Sequence, residues 1–420
     1  MDVIFAEATP SGRGGVSIVR LSGSGARAAA EYLAGELQYP RQAYLRELRH
    51  GDELLDHALV LWFEAGHSFT GEEVAELHLH GAPVIVRRVL RFFAAQGLRP
   101  AEAGEFTRRA FLNGKMDLAE VEGLGDLLEA ETEAQRRLAL RLAGGELGRR
   151  TERWRNMLIR AGALVESSVD FADEDVPDDV PLEVFHLLAD LRSQLDSEIS
   201  GYAAAERVRA GFEVAIIGPP NAGKSSLINR IAKREVALVS DIAGTTRDII
   251  ELRIDLQGLA VTLLDTAGLR DTDDQIEMMG VDRAKQRAMA ADIRVHLSDT
   301  GQKDQRLWQE GDILLQTKSD LRHAEKNAIS SFTGEGIDEF LHQLFLNLSQ
   351  RTISAGLVSH ERQLLSLIDA HKALEGIEGL PPEILAEAIR SAASSLDRLL
   401  GRIGAEEYLD VIFTSFCIGK

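Results

Sequence analysis

Gly218-Pro-Pro-Asn-Ala-Gly-Lys-Ser225 fits the pattern G-x-x-x-x-G-K-[ST], and its flanks restrict the fold more than anything else in the 420-residue chain. Phe212-Glu-Val-Ala-Ile-Ile217 before it reads as a buried strand, and Ser226-Leu-Ile-Asn-Arg-Ile231 after it reads as the start of a helix. A strand that passes through a glycine-rich turn straight into a helix belongs to a parallel α/β sheet. In such a turn the glycines let backbone N–H groups converge on a β-phosphate, Lys224 neutralises the β/γ oxygens, and the Ser225 hydroxyl can ligate Mg²⁺. The helix N-terminus adds its positive dipole. The segment predicts a nucleoside triphosphate site.

Three regions separate by pattern. Residues 1–115 alternate short strands with helices: Gly15-Val-Ser-Ile-Val-Arg20 is strand-like and Pro83 to Ala95 helical. From Leu118 the spacing turns helical, as in Ala119 to Ala130, with an acidic interruption from Asp170 to Asp179. Residues 209–349 show the strand–helix alternation of a parallel sheet, and helical periodicity returns from about Leu357. The expected architecture is multidomain α/β: an α+β domain over 1–115, a discontinuous helical domain over 116–208 and 350–420, and an inserted Ras-like P-loop domain over 209–349 with a mainly parallel sheet.

Within the insert, further motifs follow in the order of a guanine-nucleotide switch. Gly244-Thr-Thr-Arg-Asp248 offers Thr246 as a second Mg²⁺ ligand. Asp265-Thr-Ala-Gly268 ends the strand Val261-Thr-Leu-Leu264, where Asp265 would hold Mg²⁺ through water and the Gly268 N–H would sense a γ-phosphate. Thr317-Lys-Ser-Asp320 ends the strand Ile313-Leu-Leu-Gln316. Asp320 can accept from the guanine N1–H and exocyclic amine, which adenine does not offer, and the Lys318 stem can lie over the base. Ile329-Ser-Ser-Phe332 follows, where a backbone N–H can meet guanine O6. Two departures stand out. Thr317 occupies a position usually held by Asn and brings a hydroxyl without an amide. Only Thr300 to Gly311 separates the strand near Ile293–Leu297 from the next, so one peripheral helix is expected to be truncated or missing.

A glutamine often follows the D-x-x-G motif to orient water, and here Leu269 stands in its place. Glu277 is a nearby carboxylate able to polarise water, or a solvated loop acid. The Asn221 carbonyl oxygen can ligate a monovalent cation beside the phosphates, with Arg247 and Arg270 as competing sources of that charge.

The net charge of −20 argues against a mainly electrostatic grip on nucleic acid, although arginines cluster at Arg87, Arg88 and Arg91 and again between Arg136 and Arg155. Those clusters read first as solvated helix faces with Glu partners. One cysteine, Cys417, rules out an internal disulfide framework and suits a reducing cytoplasm. No signal peptide is apparent and no stretch reaches the ~18 apolar residues of a membrane span. Glu76, His78 and His80 share one face if their segment is a strand, a spacing that an alternating half-buried strand explains without a metal.

Four further segments carry a specific resemblance: Ala8-Thr-Pro-Ser-Gly-Arg-Gly-Gly-Val-Ser-Ile-Val-Arg20, Phe69-Thr-Gly-Glu-Glu-Val-Ala-Glu-Leu-His-Leu-His-Gly81, Gly104-Glu-Phe-Thr-Arg-Arg-Ala-Phe-Leu-Asn-Gly-Lys115 and Phe416-Cys-Ile-Gly-Lys420. With the switch motifs, the chain resembles over essentially its whole length the tRNA-modification GTPase family MnmE (TrmE). That resemblance implies a cytoplasmic homodimer that acts with the flavoprotein MnmG (GidA) to install an aminomethyl-type group at C5 of the tRNA wobble uridine. It implies a formyl-tetrahydrofolate-type cofactor between N-terminal domains, contacted by Arg20, Glu76, Lys115 and Lys420. Left to themselves, these residues read as surface charges, Arg20 and Lys115 suited to a folate tail and Glu76 to pteridine N–H donors.

The resemblance further implies a K⁺ site at Asn221, Ser240, Ile242 and Thr245, a catalytic carboxylate at Glu277 and a functional Cys417. GTP contacts would extend over Asn221, Ala222, Gly223, Lys224, Ser225 and Ser226, then Ser240, Asp241, Ile242, Ala243, Gly244, Thr245 and Thr246. They continue at Asp265, Thr266, Ala267, Gly268, Thr317, Lys318, Asp320 and Ser330. An Era-like ribosome-assembly switch would leave the N-terminal segments and Cys417 unexplained. A folate-dependent one-carbon transferase not acting on tRNA is the other class.

Overall fold

The computed structural model describes residues 2–170, 180–234, 236–238, 251–265, 286–303, 305–321, 327–404, 409, 412–414, 416 and 419. They fall into two compact units, the first formed by Met1–Gly125, Gly148–Arg155 and Ala393–Lys420, the second by Asp126–Leu147 and Asn156–Ala392.

The first unit is built on a six-stranded sheet: β1 (Ile4–Glu7), β2 (Val16–Ser22), β3 (Tyr44–His50), β4 (Glu53–Phe63), β5 (Val74–His80) and β6 (Arg99–Pro100). Its spatial order is β3-β4-β5-β2-β1-β6, antiparallel throughout except that β1 and β6 run parallel. Helices α1 (Ala26–Ala34) and α2 (Pro83–Ala95) cover one face. Pro83 at the first turn fits α2's start, where an N–H would go unused, and Val86, Val89, Phe92 and Phe93 recur at helical spacing on its buried side. They pack on Val19, Leu21, Leu77 and Leu79, which alternate along β2 and β5. Arg20, Glu76 and His78 therefore point to the opposite face. There α3 (Glu105–Leu112) packs Phe106 against Ile4, Ala6 and Ala101. Helix α4 (Leu118–Glu129) joins Leu118 and Val121 to Leu409, Phe413 and Phe416.

The second unit contains α5 (Glu133–Ala143) and the long helix α7 (Leu182–Ala210), and α6 (Glu146–Asp170) runs largely within it. Thr132 and Gln135 form a capping box that starts α5. A second six-stranded sheet follows: β7 (Phe212–Ile217), β8 (Glu251–Leu256), β9 (Leu259–Asp265), β10 (Ile293–Ser298), β11 (Ile313–Thr317) and β12 (Ala328–Ile329). Its order is β12-β11-β10-β7-β9-β8, with every pair parallel except β8–β9, a hairpin that turns at Gln257–Gly258. Helices α8 (Lys224–Ala232) and α9 (Ile337–Gln350) press Leu227, Ile231, Phe340 and Leu344 onto Val214, Ile216, Val295 and Leu315. The strands are apolar because the parallel sheet is covered on both faces.

The short segment between β10 and β11 forms no helix among its described residues. Trp308 from that segment packs on His296, ring centroids 5.1 Å apart, and Lys303 lies over the indole. Beneath them Arg294, 3 % exposed, binds Asp312 through Nε at 3.0 Å to each carboxylate oxygen, and His296 Nε2 lies 3.3 Å from Asp312 Oδ2. Burial opposes the Asp312 charge, but the Arg294 hydrogen bonds prevail and hold its carboxyl below the usual range. A polar cluster thus occupies this sheet face. Helices α10 (Glu361–Ala373) and α11 (Pro382–Leu399) complete the helical part. No described helix is long and apolar enough to cross a membrane.

Candidate functional site

The phosphate loop closes as its residue types require. Asn221 and Gly223 take left-handed backbone angles, φ 64° and 95°, which aim successive N–H groups into one concavity. Gly218 has a separate role: a Cβ there would stand 2.5 Å from the Leu297 carbonyl oxygen of the neighbouring strand. Lys224, 9 % exposed, folds back to donate from Nζ to the Gly218 and Pro219 carbonyls at 2.7 and 3.1 Å. It is held across the mouth of the loop. Ser225 Oγ donates to Asp265 Oδ2 at 2.6 Å, so the first residues of α8 and the end of β9 meet. These hard oxygen donors, one hydroxyl and one carboxylate, suit Mg²⁺.

The base-reading motif lies at the end of β11. Asp320 Oδ1 accepts from Ser330 Oγ at 2.7 Å, which ties the Thr317–Asp320 turn to the loop after β12. A carboxylate accepts at about four lone-pair sites, so capacity for two guanine donors remains. Lys318 has φ 63°, and its Nζ lies 3.9 Å from Asp299 Oδ2. Thr317 is 4 % exposed, and its Oγ1 finds no hydrogen-bond partner in the protein. The residue read as a departure in sequence is therefore an unsatisfied buried hydroxyl in the fold.

In the first unit Arg20 Nε donates to Glu76 Oε1 at 2.9 Å across the β2–β5 pair, where the two residues are in register. Glu76 Oε2 meets His78 Nε2 at 3.3 Å. Burial raises the cost of ionising Glu76, but His78 and the Arg20 cation outweigh it and hold the carboxyl below its ordinary value of 4.5. The Arg20 guanidinium lies over Phe69 and Phe106, 5.9 and 5.8 Å from their centroids. Lys115 Nζ donates to the Gly66 carbonyl at 2.5 Å, and its stem packs where a Cβ on Gly71 would fall. The Gly66–Gly71 loop, with Phe69 in it, lies between Arg20 and Lys115. Sequence reasoning paired Arg20 and Glu76 with separate parts of a ligand, whereas the fold pairs them with each other.

His80 differs from His78. Its Nδ1 meets Asp56 Oδ1 at 2.7 Å, and Asp56 also accepts the His57 and His80 backbone N–H groups. That contact depends on β4–β5 register and had no signature in the sequence. Among the described residues no set of three metal-ligating side chains converges. The arginine clusters are largely neutralised: Arg136 and Arg137 both bind Glu133, Arg141 binds Glu146, Arg88 binds Glu53 and Arg155 binds Asp397. The paired arginine hydrogen bonds pull the Glu133 carboxyl down to about 2. Glu277, Cys417, Lys420, Ser240 to Thr246, and Thr266 to Gly268 lie outside the described residues, as do Arg247 and Arg270.

Two family profiles cover the chain: the GTP-binding protein TrmE N-terminus matches residues 3–115 and the MnmE helical domain residues 118–417. The tRNA modification GTPase MnmE of Paracoccus denitrificans is 60 % identical over 420 residues, covering all of both chains. This chain belongs to the MnmE family. The protein of that name from Roseobacter denitrificans is 51 % identical over 431 residues, again with full coverage of both. A solved structure of Aquifex aeolicus Era aligns with 39 % of this chain and 66 % of its own at 24 % identity and a TM-score of 0.27, a likeness on which nothing is rested.

Proposed function

We propose that this chain is a GTP-hydrolysing enzyme of tRNA modification, acting at C5 of the wobble uridine together with the flavoprotein MnmG. The observation that carries the nucleotide half of this reading is the convergence of Lys224, Ser225 and Asp265 on one loop, with Asp320 on the neighbouring turn. The full-length identity to relatives named tRNA modification GTPase supports the other half.

In this reading Lys224 exchanges its two carbonyl partners for the β/γ oxygens of GTP, and Ser225, Asp265 and Thr246 hold Mg²⁺, which neutralises charge developing on the phosphates. Asn221, with Ser240, Ile242 and Thr245, supplies oxygen to K⁺ at the same phosphates. Glu277 orients the attacking water, the role that Leu269 cannot fill. The chain works in the cytoplasm as a homodimer. A domain over 1–115 takes a formyl-tetrahydrofolate-type cofactor through Arg20, Glu76, Lys115 and Lys420. The helical domain comprises 116–208 and 350–420 and carries Cys417, and the nucleotide domain is inserted as 209–349. Binding of the folate requires the Arg20–Glu76 pair to open or to be read as one dipole.

Mass spectrometry of wobble nucleosides after deletion of the gene tests the reading directly, and unchanged modification refutes it. GTP turnover is expected to be faster in K⁺ than in Na⁺ and to rise with protein concentration. Equal rates in both salts at every concentration refute the K⁺ and dimer assignments without touching the tRNA one.

A further inference from the structure

Phe332 presents its ring to solvent at 85 % exposure, the highest among the large apolar side chains described. Free ends and loose loops often leave such residues out, but this loop is tied down. Ser330 Oγ donates to Asp320 and accepts from the Thr333 N–H at 3.1 Å, and the Gly334 N–H donates to the Ser330 carbonyl at 2.8 Å. Glu335 Oε2 accepts from Ser319 Oγ at 3.3 Å, back across to the base-reading turn. On its outer side, Arg230 of α8 donates to the Thr333 carbonyl at 3.0 Å. The loop is therefore fixed at both ends, while its aromatic ring is left uncovered.

That ring is also close to one specific place. Phe332 follows two residues after Ser330, whose hydroxyl touches the Asp320 carboxylate. Two residues of chain span at most about 7 Å, so a phenylalanine ring is within reach of a planar group bound at Asp320. An edge-bound base has two faces. The Lys318 stem can cover one, and nothing else on the Thr317–Asp320 turn is aromatic. Thr317 provides no amide to brace the turn, and its hydroxyl makes no bond to the protein.

We propose that Phe332 is the stacking partner of the guanine base, closing its second face and supplying by ring contact the affinity that Thr317 does not supply by tethering. This rests on the guanine-nucleotide reading above. Base–aromatic stacking removed by alanine substitution commonly costs enough for an effect of about tenfold in Kd. Because the contact is to the base and not to the phosphates, GDP and GTP should lose equally.

Equilibrium binding of GDP and GTP to the full-length chain tests this with Phe332→Ala, Phe332→Trp and Asp320→Asn. The exposed position makes loss of folding in the Phe332 variants an unlikely confounder, and Phe332→Trp provides the positive arm. The expected result is a loss of about tenfold for both nucleotides in Phe332→Ala, with affinity retained and tryptophan emission quenched by GDP in Phe332→Trp. Asp320→Asn should shift preference from guanosine to xanthosine diphosphate, since the amide now donates to the second xanthine carbonyl. If that shift occurs while Phe332→Ala binds GDP within twofold of the parent, stacking is refuted and the guanine reading stands. If Phe332→Ala weakens GTP alone, the ring acts through the phosphate-dependent state and the proposal also fails. If Asp320→Asn produces no shift, the guanine reading falls and the stacking with it.

Discussion

Replacing Thr317 separates two consequences of one buried hydroxyl. The side chain is 4 % exposed at the end of β11, in register with Ile329 of β12, and its Oγ1 has no protein partner. A buried hydroxyl left unsatisfied costs about 1–3 kcal/mol. Thr317→Val keeps the branched shape and removes the polar atom, so it should stabilise the sheet by about 1 kcal/mol even after imperfect repacking. Thr317→Asn keeps polarity and adds an amide that can bridge neighbouring loops, worth about 1 kcal/mol if one new bond forms, or roughly fivefold tighter GDP. Native-state hydrogen exchange of the β11 amides measures the first effect as roughly fivefold slower opening, and equilibrium GDP binding measures the second. Valine without protection and asparagine without affinity would together refute the reasoning, placing an ordered water on the hydroxyl and the weakness of the turn elsewhere.

Other perturbations follow from the same geometry. Lys224→Met removes the only charge at the loop mouth that bonds the Gly218 and Pro219 carbonyls among the contacts described; GTP affinity should fall by at least about 2 kcal/mol, roughly thirtyfold, in a filter or calorimetric assay. Asp312→Ala strands Arg294, which is 3 % exposed, and should cost about 3–5 kcal/mol in urea unfolding of the nucleotide-binding sheet; a loss under 1 kcal/mol would mean that water reaches the guanidinium. The Glu76 carboxyl is depressed below 4.5, so it contributes stability that is complete above that value and drains as pH falls through the folded pKa. Unfolding measured between pH 3 and about 6 should show a shallower acid loss for Glu76→Gln than for the parent.

Local structure was largely legible where one segment carried its own signal. The strand Phe212–Ile217 and the helix Pro83–Ala95 coincide with their sequence readings, since an unbroken apolar run and a proline-started amphipathic pattern each specify themselves. The helix after the phosphate loop starts at Lys224, two residues earlier than read, because Gly223 with φ 95° serves as its cap and the loop residues Lys224 and Ser225 already form its first turn. The short β10–β11 link was legible as a lost helix, but not what replaces it. Arg294 and Asp312 are 18 positions apart, and only the parallel pairing of β10 with β11 brings them together. The same holds for Asp56 and His80, and for Arg20 with Glu76, 56 positions apart and joined by β2–β5 register. Residue types announce a site's chemistry, whereas cross-strand partners depend on a register that no local window contains.

The chain leaving α9 returns closely to α7. The Leu357 N–H donates to Glu198 Oε2 at 2.9 Å across 159 positions, and Gly201 leaves so little room that a Cβ would lie 2.7 Å from the Ser354 carbonyl oxygen. Closing a flexible loop of that length costs about 2–3 kcal/mol more than closing one of ten residues. If the nucleotide-binding sheet forms first, its own entry and exit already hold those ends together, and that excess disappears. Helical association would then wait on the insert during synthesis, and a short glycine–serine bridge across the same gap would serve as well as the whole insert. An arrangement that places a nucleotide-responsive module between two halves of another fold thereby makes the order of folding, as well as the working cycle, pass through that module.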